Sequence, residues 1–343
     1  MTDADAFHRS LLTIDTHIDI PWPDKRGSDQ AGSDKPDSPR ERQVDLQKMR
    51  SGGLACGCFA AYTPQERRTA ESREAAFARA VAMLQAIRAM GEIDGARLAI
   101  TVAEIEAAHE AGLIAVVPAV ENGFAIGSEL GRLAHLQAFG ARYLTLTHNG
   151  HNDLADSANP RKDLEDPPSE HDGLSALGRA AVGELNRLGM LVDVAHVSKA
   201  AMLQAAEISR TPVIATHSCV RALCDHPRNV DDEQLDVLRH VGGVVQITAV
   251  PAFLRPQGKP QSVSVADFVD HIDYAVGRIG IEHVGISSDF DGGGGFSGWR
   301  DAAETPNVTR ELLRRGYGRR EIVALWGGNF LRLLRAAEAV ADT

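Results

Sequence analysis

His17 and Asp19 stand two residues apart at the end of the apolar run 14–19. In an extended chain, side chains at i and i+2 point to the same side, so a ring nitrogen and a carboxylate oxygen are aimed at one place. A divalent metal ion requires that arrangement, although a packed histidine followed by a turn-capping aspartate would show the same residues. The design recurs down the chain. Further apolar runs end in Glu121, His148, His196, His217 and Asp289. Imidazoles with carboxylates and no thiolates suit zinc, with manganese or cobalt as substitutes. His17, Asp19, Glu121, His196 and His217 are more ligands than a single catalytic zinc takes, and they suit two ions. One ion would take His17 and Asp19, the other His196 and His217. A carboxylate can bridge two ions with one oxygen on each, and Glu121, from a middle strand, is the natural bridge. The chemistry of such a centre is metal-assisted hydrolysis.

The elements that must position these residues alternate. Strands are expected at 14–19, 54–62, 113–120, 143–147, 190–194, 212–215, 243–250 and 283–287, all short and apolar. Helical patterns separate them, at 44–53, 65–93, 102–111, 129–139, 174–188, 198–208, from Asp231, and at 266–279, with Ser198 placed as an N-cap. Two more, at 307–315 and 319–339, close the chain. Short apolar strands separated by helices are buried parallel strands with right-handed crossovers. Roughly eight such units predict a (β/α)8 TIM barrel, in which all strand C-termini meet at one catalytic face. A doubly wound open sheet is the other fold this pattern allows, but no glycine-rich phosphate loop follows the first strand. One domain over 1–343 is expected, with long polar loops at about 24–42 and 149–172 over one end.

The chain has 343 residues, 43% of them hydrophobic, enough for a large core. A formal net charge of −11 argues against nucleic acid or an anionic membrane as partner. The N-terminal stretch is polar and acidic without a leader pattern, and no apolar run approaches the ~20 residues that span a bilayer. A cytoplasmic protein acting on a small molecule is expected. Cys56, Cys58, Cys219 and Cys224 make no CxxC pair; Cys56 and Cys58 are read as small core residues, with a thiolate metal site as the alternative.

Several motifs, in order, carry a resemblance: Asp15-Thr16-His17-Ile18-Asp19-Ile20-Pro21-Trp22, Glu121-Asn122-Gly123, Leu146-Thr147-His148-Asn149, Asp193-Val194-Ala195-His196-Val197-Ser198, Thr216-His217-Ser218, Arg228-Asn229-Val230 and the run 285–292. Together they resemble the membrane (renal) dipeptidase family of the amidohydrolase superfamily, from about His8 to the C-terminal helix. The resemblance implies two zinc ions per chain, a dipeptide substrate and a lean toward homodimers. It also implies that His148 contacts the substrate carbonyl or its oxyanion, and that Arg228 pairs with the C-terminal carboxylate. Asp289 would move the proton from nucleophile to leaving amine; Asp291, two residues on and so on the same side of an extended chain, ranks second for that role. Some bacterial relatives accept a D-residue at the C-terminal position. Thr16 and Ile18 depart from the glycine and asparagine common around the family's first histidine. The animal members are secreted and lipid-anchored, and that biology is not expected here. Another amide substrate, such as an N-acyl amino acid, and a non-catalytic scaffold are the alternatives.

Overall fold

A computed structural model describes residues 2–20 and 42–341. Apart from Arg42, the loop expected at about 24–42 lies outside the described residues, as do Pro21 and Trp22. The described residues form nine parallel strands: β1 (Ile14–Asp19), β2 (Cys56–Tyr62), β3 (Ala96–Leu98), β4 (Ile114–Glu121), β5 (Tyr143–Thr145), β6 (Leu191–Asp193), β7 (Ile214–Ser218), β8 (Val244–Ile247) and β9 (Val284–Ile286). Eight follow one another around the sheet in the order β1-β2-β4-β5-β6-β7-β8-β9. The ring closes just past β9, where Phe290 bridges Ile18. There Asp19 N–H donates to Phe290 O at 3.0 Å and Asp289 N–H to His17 O at 3.1 Å. The fold is therefore the α/β TIM barrel, not the open doubly wound sheet.

β4 through β9 are buried along their whole length. Strands covered by helices on one face and packed into the barrel on the other must be apolar throughout. Alternate residues separate into two apolar clusters: Phe59, Val116, Leu144, Val192 and Val245 join one, Cys58, Val117, Tyr143, Leu191 and Val244 the other. All four cysteines are free and buried, so Cys56 and Cys58 are core residues as expected.

Caps fix the helix starts. Thr69 accepts from Ser72 N–H ahead of the long helix Ala70–Met90, Ser198 accepts from Ala201 N–H, and Asp231 from Gln234 N–H. Two local readings are corrected. β3 went unexpected; it is only Ala-Arg-Leu and pairs with Ile114–Val116 at the start of β4. The last helix is interrupted by a π-helical turn at Ala324–Gly328, where Gly327 lies against Leu12 O too closely for a Cβ. The 149–172 segment is a loop with one 3-10 turn at Lys162–Leu164, and part of it is packed inside. Leu154, Ala155, Asp156 and Ser157 are buried. His151 clamps it, accepting from Ser157 N–H at 2.9 Å and donating to Pro167 O at 2.8 Å.

Candidate metal centre and active site

The predicted residues converge at the C-terminal mouth. His17 and Asp19 lie on β1, Glu121 ends β4, and His217 lies on β7. His148, His196 and Asp289 lie in the turns after β5, β6 and β9. Asn122, His196, Asp289 and Asp291 all hold positive φ (81°, 66°, 57° and 62°), unusual for residues with a Cβ. Strand ends are thus turned sharply at the mouth, and strain held at such positions is characteristic of working sites.

Glu121 is the hub. Its Oε2 lies 3.6 Å from His17 Nε2, while Oε1 lies 3.2 Å from His196 Nε2, 3.5 Å from His217 Nε2 and 4.0 Å from His148 Nε2. His17, Asp19 and Asp289 form an adjoining group close enough to share one ion. Asp291 does not join it. Its carboxylate accepts from Gln43 N–H at 2.8 Å and Val44 N–H at 3.3 Å, so it anchors the backbone ahead of the helix Leu46–Gly52. Burial works against charge on Glu121, but His17 and the neighbouring imidazoles hold its carboxyl well below the usual range. Burial also disfavours the His17 imidazolium, yet Glu121 and Asp19 outweigh it and raise His17 to about 10. Burial with Glu121 beside it pushes Asp19 up, and burial pushes Asp289 up to about 7. His148, with a fifth of its side chain exposed, is pushed down to about 4 by burial.

These residues fit a metal. His17 Nε2 and Asp19 Oδ1 are buried without a hydrogen-bond partner although they face carboxylates and imidazoles. Such orphaned donor atoms are costly unless an ion completes them. Their partners on the far side leave them free to ligate. His17 Nδ1 contacts Tyr143 Oη at 3.0 Å, and His217 Nδ1 contacts Thr216 Oγ1 at 2.9 Å, so both Nε2 atoms point into the cluster. Arg228 is buried, donating to His217 O at 3.1 Å over the ring of Phe253, with its Nε unpartnered. Sequence reasoning missed Tyr143, Thr145, Asp193 and Thr216. Tyr143 and Thr145 read there as strand residues and Asp193 and Thr216 as parts of motifs, and only the closed barrel brings them together beneath His17 and His217.

A parallel barrel carrying a His/Glu/Asp cluster at the C-terminal ends of its strands belongs to the metallohydrolase class of TIM barrels. Comparison with known proteins narrows this. The membrane dipeptidase (peptidase family M19) profile matches residues 1–343, and the chain belongs to that family. Dipeptidase aclJ of Aspergillus oryzae is 40% identical over 234 residues, covering 68% of this chain and 54% of that protein. The chain thus spans about half the length of that relative. The crystal structure of the probable dipeptidase PvdM from Pseudomonas aeruginosa superposes with a TM-score of 0.90 at 30% identity, covering 98% of each chain. A metallopeptidase from Rhodobacter sphaeroides, liganded with a phosphinate mimic of the dipeptide L-Ala-D-Ala, superposes at 0.82 with 26% identity, covering 95% of this chain and 99% of that one. Among the described residues no helix is long and apolar enough to cross a membrane.

Proposed function

We propose that this protein is a dipeptidase that hydrolyses the bond between two amino acids with two zinc ions, and that it accepts a D-residue at the C-terminal position. One observation supports the pair of ions above the rest: Glu121 turns one oxygen toward His17 and the other toward His196 and His217. His17 and Asp19 would hold one ion, His196 and His217 the other, and Glu121 would bridge. Ions held there supply Lewis acidity and bring the pKa of the attacking water toward neutrality.

The chain's own groups do the rest. His148, at the open side of the cluster, donates to the substrate carbonyl oxygen and to the charge that develops on it. Arg228, with an unpaired Nε and a planar fork, binds the C-terminal carboxylate. Asp289 takes the proton of the attacking water and delivers it to the departing nitrogen. The phosphinate dipeptide mimic in the Rhodobacter sphaeroides relative supports a D-residue at the second position. A cytoplasmic location belongs to the same reading, supported by four free, buried cysteines, and so does a homodimer.

The test is metal content per chain together with turnover of an L,L and L,D dipeptide library. About two zinc ions with dipeptide cleavage, lost on chelation and restored by zinc, is expected. Turnover of N-acyl amino acids alone would replace the substrate assignment, and a metal-free, inert chain would overturn the reading altogether.

A further inference from the structure

Beneath the ligands, two hydroxyl groups stand between an imidazole and a fixed acceptor. Thr216 Oγ1 donates to Asp193 Oδ2 at 2.7 Å. That hydroxyl proton is then committed, so the 2.9 Å contact with His217 Nδ1 requires Nδ1 to carry the hydrogen. Tyr143 Oη likewise donates to Thr16 O at 2.9 Å, so its 3.0 Å contact with His17 Nδ1 makes that nitrogen the donor. Asp193 accepts only. Its Oδ2 also takes Thr145 Oγ1 at 2.5 Å, and its Oδ1 takes Ala195 N–H and Thr216 N–H, each at 3.0 Å. With β5, β7 and the turn after β6 all donating to it, the carboxylate does not offer Thr216 a proton, and Thr216 is held in place. A further hydrogen bond, Thr16 Oγ1 to Thr216 O at 3.0 Å, joins the two relays across the barrel. His196 has no such partner: its Nδ1 is buried and unbonded.

We infer that Thr216, held by Asp193, and Tyr143, held by the Thr16 carbonyl, are positioning residues that lock His217 and His17 in the Nδ1–H tautomer, each governing the affinity of a different metal ion. The inference rests on the two-ion reading above. A hydroxyl relay serves where other metal sites place a carboxylate directly behind the imidazole, and loss of such a partner costs about 10- to 100-fold in metal affinity.

The experiment loads metal-free full-length protein with Zn2+ and measures each ion's affinity by chelator competition. Imidazole 15N shifts give the tautomers: of His217, which burial keeps neutral, in the metal-free protein, and of His17, which Glu121 keeps protonated there, in the zinc-loaded protein. Thr216→Val should weaken one ion about 10- to 100-fold, Tyr143→Phe the other, and Thr216→Ser should restore wild-type affinity. The 15N spectra should show Nδ1–H at His17 and His217, with only His217 altered in Thr216→Val. Unchanged affinities in both variants, equal weakening of both ions by either one, or failure of serine to rescue would each overturn the relay. Wild-type protein that binds no zinc would instead overturn the two-ion reading, while the metal-free 15N spectrum would still decide the His217 tautomer.

Discussion

The carboxylates of Asp19 and Asp289 close against Gly292: a Cβ built on that glycine would overlap both Asp19 Oδ2 and Asp289 Oδ1. Bare backbone is what allows the glycine-rich turn to pass beside the two acids. Gly292→Ala should therefore push them apart, with turnover down roughly 100-fold or more and a stability loss of about 1–3 kcal/mol. Turnover and thermal midpoint check it. Wild-type values for both would show that the turn gives way freely.

Asp289 lies close enough to His17 and Asp19 to ligate, so its role is open to a direct test. Asp289→Asn should lower kcat by about 100- to 10,000-fold, the range for a lost general acid–base group, with zinc content near normal. Zinc loss in that variant would make Asp289 a ligand.

Arg228 is buried with one nitrogen unpaired. Arg228→Ala should raise KM roughly 10- to 100-fold for dipeptides with a free carboxylate, as expected for a lost hydrogen bond between charged groups. Carboxyl-amidated dipeptides are the control. An equal rise for them would remove the carboxylate clamp.

His8, away from the mouth, predicts a pH dependence. It is buried, donating through Nε2 to Gly52 O at 2.9 Å and facing Thr309 Oγ1 at 2.7 Å, and burial lowers it from 6.5 to about 4. The unfolded chain then takes up a proton near pH 6.5 that the folded chain refuses until about pH 4. His8 thus supports the fold fully above 6.5 and loses that contribution as pH falls toward 4. Between neutral pH and about pH 4.5 the loss should be roughly 2–3 kcal/mol. Urea unfolding of metal-free protein at the two pH values checks it. His8→Gln should show a smaller difference than wild type, and an identical difference would exclude His8 as the cause.

The chemistry-bearing residues were legible because a barrel strand ends in them. Periodicity locates the end of an apolar run, and the barrel supplies the rule that such ends meet. His17, Glu121, His196 and His217 needed nothing more. Asp291 was misjudged because an i+2 spacing fixes sides only in extended chain, and positive φ at Asp289 and Asp291 breaks that premise. β3 was missed since three residues with a central arginine show no pattern. Asp193 looked like part of the His196 motif, yet its partners Thr145 and Thr216 come from neighbouring strands, and single-chain spacing carries no register between strands.

The bridge between Ile18 and Phe290 has a consequence for biosynthesis. The contact that seals the barrel also sets Asp289 N–H on the carbonyl of His17, so the first and last strands must meet before Asp289 stands beside His17 and Asp19. Contacts so distant in sequence form late in folding. A nascent chain emerging from the ribosome would hold His17, Asp19 and Glu121, three of the five side chains proposed to bind ions, by the time β6 is made, with His196 following in the next turn. On the proposed function, competence would arrive only with the completed ring, and a half-made chain would stay inert.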